Sequence, residues 1–270
     1  MARAQQLNLP LASPKAMVSQ TIGLTEIKVN YYTPGVKNRE IWGKLVPYGQ
    51  VWRTGANEAT MITFSDDVMV QGEKLPAGTY SLFTIPESHD NWTIIINKRL
   101  NQWGAFDYKA EEDVLRVPVQ AIPDNFHETL FFSFTDIKAN SGTLNLNWEK
   151  IRIPIHIEVE VDQKALANIK AALAAANPND WRLYAQAVSY LLQKNKEPEL
   201  ALEWINKSIA IDDNYYNNWL KAQLLAQHNE YQEAVNLVKK AIKLGEKEET
   251  FKQFAPDLEL ALKDWRIKMN

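Results

Sequence analysis

The feature that most constrains this chain is a change of hydrophobic period at residues 161–162. Just before it, Ile151, Ile153, Ile155, Ile157, Val159 and Val161 alternate with Arg152, Pro154, His156, Glu158 and Glu160. Alternation with a period of two is what a strand with one buried face requires. Beyond it the chain is rich in Ala, Leu, Lys and Glu, and its apolar residues recur at the 3.6-residue spacing of a helix face. One element cannot satisfy both periods, so a β part must be followed by an α part. Glycine and charge divide at the same place. Nine of the ten glycines lie at or before Gly142. Residues 1–161 carry 15 basic and 18 acidic side chains, and residues 162–270 carry 15 of each.

The spacing predicts strands near 16–22, 25–32, 60–64, 68–70, 79–85, 92–96, 114–120, 130–134, 144–148 and 151–161. The runs 92–96 and 130–134 are nearly continuous in apolar residues, which suits burial on both faces. Pro154 lacks an N–H, so it marks an edge or a bulge in its strand. Asp66-Asp67 and Pro76-Ala77-Gly78 supply turns. With no crossover helices between so many short strands, the β part reads as an all-β antiparallel sandwich, jelly-roll-like, over residues 16–161 behind an N-terminal tail of residues 1–15.

Residues 162–270 read as an all-α domain. Asp162 is a candidate N-cap for a helix over 163–176, and Asn177-Pro178-Asn179-Asp180 breaks it. A 33-residue period follows: Ala201 maps onto Ala234, Leu202 onto Val235, Ile205 onto Val238, Ser208 onto Ala241 and Ile209 onto Ile242. This resembles the tetratricopeptide repeat, a pair of antiparallel helices per unit. Ser189 and Gln223 stand where that repeat usually has Gly, and Asp213 where it ends in Pro. Two units, 180–213 and 214–246, are expected, completed by the helix at 163–176 and a capping helix near 250–268. Trp181, Trp204, Tyr215, Tyr216, Trp219 and Trp265 read as core at helical spacing. Alternatively they border a groove that presents Asn217, Asn218, Lys221 and Gln223 to a protein partner.

Between the strands ending near Tyr32 and starting near Thr60 lies a long segment with no clear period. Its load of Ile41, Trp42, Leu45, Val46, Tyr48, Val51 and Trp52 demands that it pack down over an end or open face of the sandwich. A short turn is expected near 41–46. Here the chain resembles a known group. Ser19-Gln20-Thr21-Ile22-Gly23, Gly43-x-Leu45-Val46-Pro47-Tyr48-Gly49, Val51-Trp52-Arg53-Thr54-Gly55-Ala56-Asn57 and Leu75-Pro76-Ala77-Gly78-Thr79-Tyr80-Ser81-Leu82 are similar to domain-of-unknown-function family 2911. The resemblance covers roughly residues 10–160. It implies a β domain of bacterial, mainly Bacteroidetes, type that often follows a secretion signal and is sometimes followed by TPR-like helices. It implies no reaction, cofactor or catalytic residue.

The same segment holds the candidate ligand-binding residues Arg39, Trp42, Tyr48, Trp52, Arg53, Asn57 and Glu58. A forked guanidinium, an amide and a carboxylate beside aromatic rings are what a small-molecule or sugar site uses, and Arg39 and Arg53 suit an anionic group. The competing reading is a structural plug, with Trp42 and Trp52 closing the sandwich and Arg53 and Asn57 bonded to loop carbonyls. Glu40 and Glu58 are a weaker candidate pair for hydrolysis.

Other chemistry is thinly represented. There is no cysteine, which excludes disulfides and thiol catalysis. His89, His127, His156 and His228 are scattered without metal-ligand spacing, so no metal site and no cofactor is expected. His156 reads as exposed or paired, beside Glu158. Asp66-Asp67 and Glu111-Glu112-Asp113 read as a turn and a solvated loop. No nucleophile elbow, phosphate loop or dinucleotide fingerprint occurs. A net charge of −3 argues against nucleic-acid binding, and no apolar run is long enough for a transmembrane segment. At the N-terminus, Ala2-x-Ala4 fits the small-residue site where a signal peptide is removed. The expected protein is therefore a periplasmic or secreted, non-enzymatic binding or scaffold protein whose helical repeats meet a protein partner. A cytoplasmic location is the alternative to export. The alternative function is a small-molecule or carbohydrate-binding protein, or a hydrolase, using the polar residues of the 39–58 loop.

Overall fold

The computed structural model describes residues 9–269; the expected Ala2-x-Ala4 processing site and most of the 1–15 tail lie outside the described residues. The chain divides into two compact units between Ala165 and Leu166, a few residues beyond the change of period.

The first unit is built from β1 (Lys15–Ile22), β2 (Thr25–Tyr32), β3 (Thr60–Phe64), β4 (Val68–Val70), β5 (Glu73–Leu75), β6 (Gly78–Pro86), β7 (Asn91–Asn97), β8 (Asp113–Gln120), β9 (Ile122–Thr135) and β10 (Ser141–Val159). Six strands form one sheet in the order β1-β2-β3-β6-β7-β8, and four form a second in the order β5-β4-β10-β9. Every pairing is antiparallel. The inward residues of both sheets, among them Ile27, Phe64, Trp92, Leu146, Trp148 and Ile155, merge into a single buried core, so the sheets face each other as the expected sandwich. They do not close into a barrel.

Two departures from the predicted strands have local causes. The segments 144–148 and 151–161 are one 19-residue strand, β10. They looked separate because Glu149 sits at φ 55°, where the register against β9 slips. This β-bulge shifts the inward set from even to odd positions without ending the strand. Pro154 lies between the last residue paired to β9, Arg152, and the first paired to β4, Ile157. Its missing N–H therefore interrupts no ladder, and its carbonyl accepts from the Gln71 side chain at 3.2 Å. The other departure is β9, which begins at Ile122 rather than 130. Its first half is mostly exposed on both faces and so carries no alternation.

At the end of this unit Asp162 is the first residue of α1 (Asp162–Ala175), not its cap. The capping role falls to Glu160, whose carboxylate accepts from the N–H groups of Asp162 and Gln163 at 3.1 and 3.3 Å. Lys164, also in the first turn, bonds Asp66 Oδ2 and the Leu24 carbonyl. The Asp66-Asp67 turn is thus tied to α1 rather than free in solvent.

The second unit contains α2 (Trp181–Lys194), α3 (Pro198–Ile211), α4 (Tyr215–Gln227), α5 (Tyr231–Gly245), a 3-10 turn (Glu249–Gln253) and α6 (Ala255–Lys268). The repeat is borne out in the backbone, since α3 and α5 begin 33 residues apart and α2 and α4 begin 34 apart. The equivalent positions are buried in each unit: Ala201, Ile205 and Ser208, then Ala234, Val238 and Ala241. Small side chains at the first and third of these positions let paired helices approach closely. The Ser208 hydroxyl, which has no solvent, donates to the Trp181 carbonyl at 3.0 Å.

Candidate functional site

The 33–59 segment packs down as its composition demands, and most of its aromatic content goes inward. Ile41 and Val46 are 2% exposed, and their turn closes through Val46 N–H to the Ile41 carbonyl at 2.9 Å. Trp52 replaces β3 as the neighbour of β6, exchanging backbone bonds with Thr84 at 2.8 and 2.9 Å. Its ring stacks on Trp148, centroids 5.7 Å apart, and meets Trp42 and Trp92 edge-on. Trp42 also packs edge-on against Trp92 and Trp148 at 5.0 and 5.6 Å. Four indoles therefore fill one end of the sandwich, where edge-to-face and offset contacts are the favoured geometries. Trp52 belongs to this core, and Trp42, partly buried, packs against it.

Arg39 is structural too. Its Nε and Nη2 donate to the carbonyls of Val36 and Gly35 at 3.0 and 2.5 Å, securing the loop where it meets β9 through Val36 N–H to the Glu128 carbonyl. The Tyr48 ring lies against Gly43, whose φ of +83° makes room for the turn. Asn57 donates to the Ser13 carbonyl at 3.2 Å. The Tyr32 hydroxyl donates to Glu58 at 3.2 Å, and burial together with that carboxylate pushes the phenol up from its ordinary range.

Arg53 behaves differently from its neighbours. Trp52 pairs with Thr84 and points inward, so strand alternation turns Val51 and Arg53 toward the outer face of the six-stranded sheet. Val51 there packs against Ala59, Phe83, Ile85 and Ile95. The Arg53 side chain is half-buried on this face and its Nε is enclosed without a hydrogen-bond partner. Burial pulls its guanidinium down from the usual value, and no described carboxylate compensates it. The expectation that Arg53 bonds loop carbonyls is not met.

The outer face has a cover that no period in the sequence marks. The 98–112 loop lies on Phe83 and Ile95 through Ala105 and Tyr108, which is why the apolar run of β7 is buried on both sides. Its frame is pinned by buried polar groups. Asn97 donates to the Lys109 carbonyl and to Asp113, and Gln102 to the Arg99 carbonyl. Tyr108 donates to Asp113 at 2.7 Å, and Arg116 closes the network on both. Burial and the Asp113 bond push the Tyr108 phenol up. The tip then pairs with the candidate segment. Ala59 N–H bonds the Gln102 carbonyl at 2.8 Å, Gly104 N–H bonds the Asn57 carbonyl at 3.0 Å, and Glu58 forms a bridge with Trp103. Trp103 is 61% exposed and Phe106 is 85% exposed, although both stand on a pinned loop. The signal that could have found them is a Trp-Gly-Ala-Phe run of no period following a strand whose second face needed a cover.

With the geometry in view, comparison with known proteins decides the family. The family described as Protein of unknown function (DUF2911) matches residues 13–157. The chain belongs to this family. The match runs from just before β1 almost to the end of β10, so the DUF2911 domain is the sandwich and contains Arg53, Glu58 and Trp103. The helical unit lies outside it. No curated protein and no solved structure matches the chain.

The first compact unit also carries a cavity of about 580 Å³, lined by Asp67, Leu75, Asn140, Glu158, Glu160 and Gln163 among others. None of the expected site residues lines it. His156 pairs with Glu158 at 3.4 Å, as its place on the polar face suggested, and His127 with Asp124 at 3.5 Å. Among the described residues no three side chains converge as metal ligands, and no helix is long and apolar enough to cross a membrane.

In the helical unit, Asn217 and Asn218 are 0% exposed and do not face a groove. Asn217 donates to the Asp212 carbonyl, and Asn218 donates to Asp213 and to the Asn214 carbonyl. Together with the Asn214 capping box, they hold the turn between α3 and α4. Tyr215, Trp204 and Trp219 are buried as core.

Proposed function

We propose that this DUF2911 protein is a non-enzymatic binding protein whose β domain holds a small organic anion at Arg53. The observation that carries this reading is the half-buried guanidinium with an enclosed, unpartnered Nε. Taking a charge out of water without a partner costs stability. An anion from outside the chain would complete the pair. Around it Arg39 and Asn57 bond main-chain carbonyls and Trp52 lies in the core, so Arg53, the exposed Tyr48, the partly buried Trp42 and the Tyr32–Glu58 pair are what the expected site leaves for a ligand. The helical repeats are the natural arm for a protein partner. The family resemblance supports a periplasmic or secreted location, which is tested by fractionating cells that express the full gene.

The test for the ligand is calorimetric titration of wild type and Arg53→Gln with a panel of small carboxylates and phosphates. The reading expects at least one saturable anion whose binding is lost in Arg53→Gln. If every bound anion is held equally well by the variant, Arg53 is not the receptor.

A further inference from the structure

We propose that the 98–109 loop docks this chain on an anionic lipid bilayer, independently of Arg53, with Trp103 and Phe106 in the membrane interface and Lys98 and Lys109 at the headgroups. The loop is closed at its base. Asn97 Nδ2 donates to the Lys109 carbonyl at 3.1 Å and Arg99 Nη1 to the Asp107 carbonyl at 3.2 Å, so Lys98 and Lys109, both exposed, sit together at that base. Between them the run from Leu100 to Phe106 carries no charge. Leu100 is 38%, Trp103 61% and Phe106 85% exposed. The Phe106 ring lies against Gly104, the residue next to Trp103, so the two aromatic side chains share one tip. Backbone that enters an interface must bring its hydrogen bonds with it. Here the Gln102 carbonyl and the Gly104 N–H are bonded to Ala59 and Asn57 at 2.8 and 3.0 Å, and the Ala105 carbonyl accepts from Tyr108 N–H at 3.4 Å.

Charge selects the bilayer as the occupant. From Lys98 to Lys109 the chain carries Lys98, Arg99 and Lys109 against Asp107 alone, and the cations stand behind the uncharged tip. An anionic leaflet has the same order of layers, with acyl chains inside, an interface that favours Trp, and phosphates outermost. Of the neighbouring acids, Glu58 is half-buried and accepts from the Tyr32 hydroxyl, and Asp113 is paired with Arg116 at 2.6 Å. Glu111 and Glu112 belong to the following turn, Ala110–Glu112.

The test is flotation of the full chain with vesicles of phosphatidylcholine alone and of phosphatidylcholine mixed with anionic phosphatidylglycerol, with circular dichroism to confirm that each variant is folded. Wild type should float with the mixed vesicles and more weakly with phosphatidylcholine. Trp103→Ala and Phe106→Ala should each lower the partition by about tenfold, the effect of one large apolar side chain withheld from the interface, and Trp103→Phe should keep most of it. Lys98→Gln combined with Lys109→Gln should lower binding to the mixed vesicles by about tenfold or more and leave phosphatidylcholine binding as it was. Phosphatidylcholine brominated in its acyl chains should quench part of the tryptophan fluorescence of wild type and little of that of Trp103→Phe, because Trp103 is the indole that enters. Failure of wild type to float with either vesicle overturns the inference. So does flotation that survives Trp103→Ala and Phe106→Ala, which would be charge binding alone, and so does quenching that survives Trp103→Phe. If wild type instead sediments as a dimer that Phe106→Ala separates, and does not float, a second copy covers the tip and the bilayer is excluded.

Discussion

Arg39 and Arg53 lie in one loop, and the structure assigns them opposite energetic signs. Arg39 makes two charge-assisted bonds to main-chain carbonyls. Replacing it with Met keeps the aliphatic stem and strips both bonds. At the low end of the range for partly exposed charged hydrogen bonds, the loss is about 1–3 kcal/mol. In a domain of this size that corresponds to roughly 2–10 °C in Tm. Arg53→Met removes a half-buried guanidinium whose Nε bonds nothing. No interaction is lost, a desolvated charge is relieved, and the stem still covers the outer face. Its expected effect runs from zero to about 1 kcal/mol of stabilisation. The assay is urea denaturation followed by amide hydrogen exchange at β3, β6 and β7, which reports this domain separately from the helices. Stability should fall in the order Arg53→Met, wild type, Arg39→Met. A loss of more than about 1 kcal/mol in Arg53→Met would refute the reasoning, because it requires a partner for that guanidinium inside the fold.

Further expectations test the frame. Gly245 packs against the Phe251 ring so closely that an added methyl collides with it, so Gly245→Ala should destabilise the helical unit by about 1–3 kcal/mol, read as an earlier loss of helical circular dichroism. Gly104 combines φ +67° with the Phe106 ring 2.9 Å from where a Cβ would stand; Gly104→Val should disorder the tip, seen as amide-exchange protection lost at the Asn57–Gly104 bond. Burial alone would raise the Asp66 carboxyl, but bonds from Lys164 and Ser65 outweigh it and hold the group below its ordinary value. Its contribution is therefore present above the ordinary carboxylate range and lost as pH falls through the depressed pKa. Lys164→Met should flatten the acid limb of a stability–pH curve, and an unchanged limb would show that the pair contributes nothing.

The parts of the fold that were readable in the sequence are those where one residue's neighbours are set by period alone. β2, β3 and β4 begin and end where the alternation does, and the 33-residue offset recurs in α3 and α5. Where a partner elsewhere in the chain decides, the period is silent. The bulge at Glu149 turned one strand into two apparent ones, since a left-handed residue that flips the inward set looks like a break. β5, with Glu73 and Lys74 exposed and only Leu75 buried, has too little apolar content to register and exists because it pairs with β4. The site divided in the same way. The apolar load of the 39–58 loop correctly required packing, but sequence spacing does not show which arginine finds carbonyls and which does not. Trp103 was missed because its importance comes from pairing with Glu58, 45 positions earlier in the chain.

The central claim is that the Arg53 guanidinium has no partner among the described residues while Arg39 has two main-chain carbonyls. The measurement that addresses it most directly is a nuclear magnetic resonance titration of the arginine Nε–H signals with acetate, citrate and inorganic phosphate, assigned through Arg53→Gln and Arg39→Lys. The account predicts that the Arg53 signal shifts saturably and that the Arg39 signal stays in place. A bound ligand that leaves the Arg53 signal unmoved would contradict it.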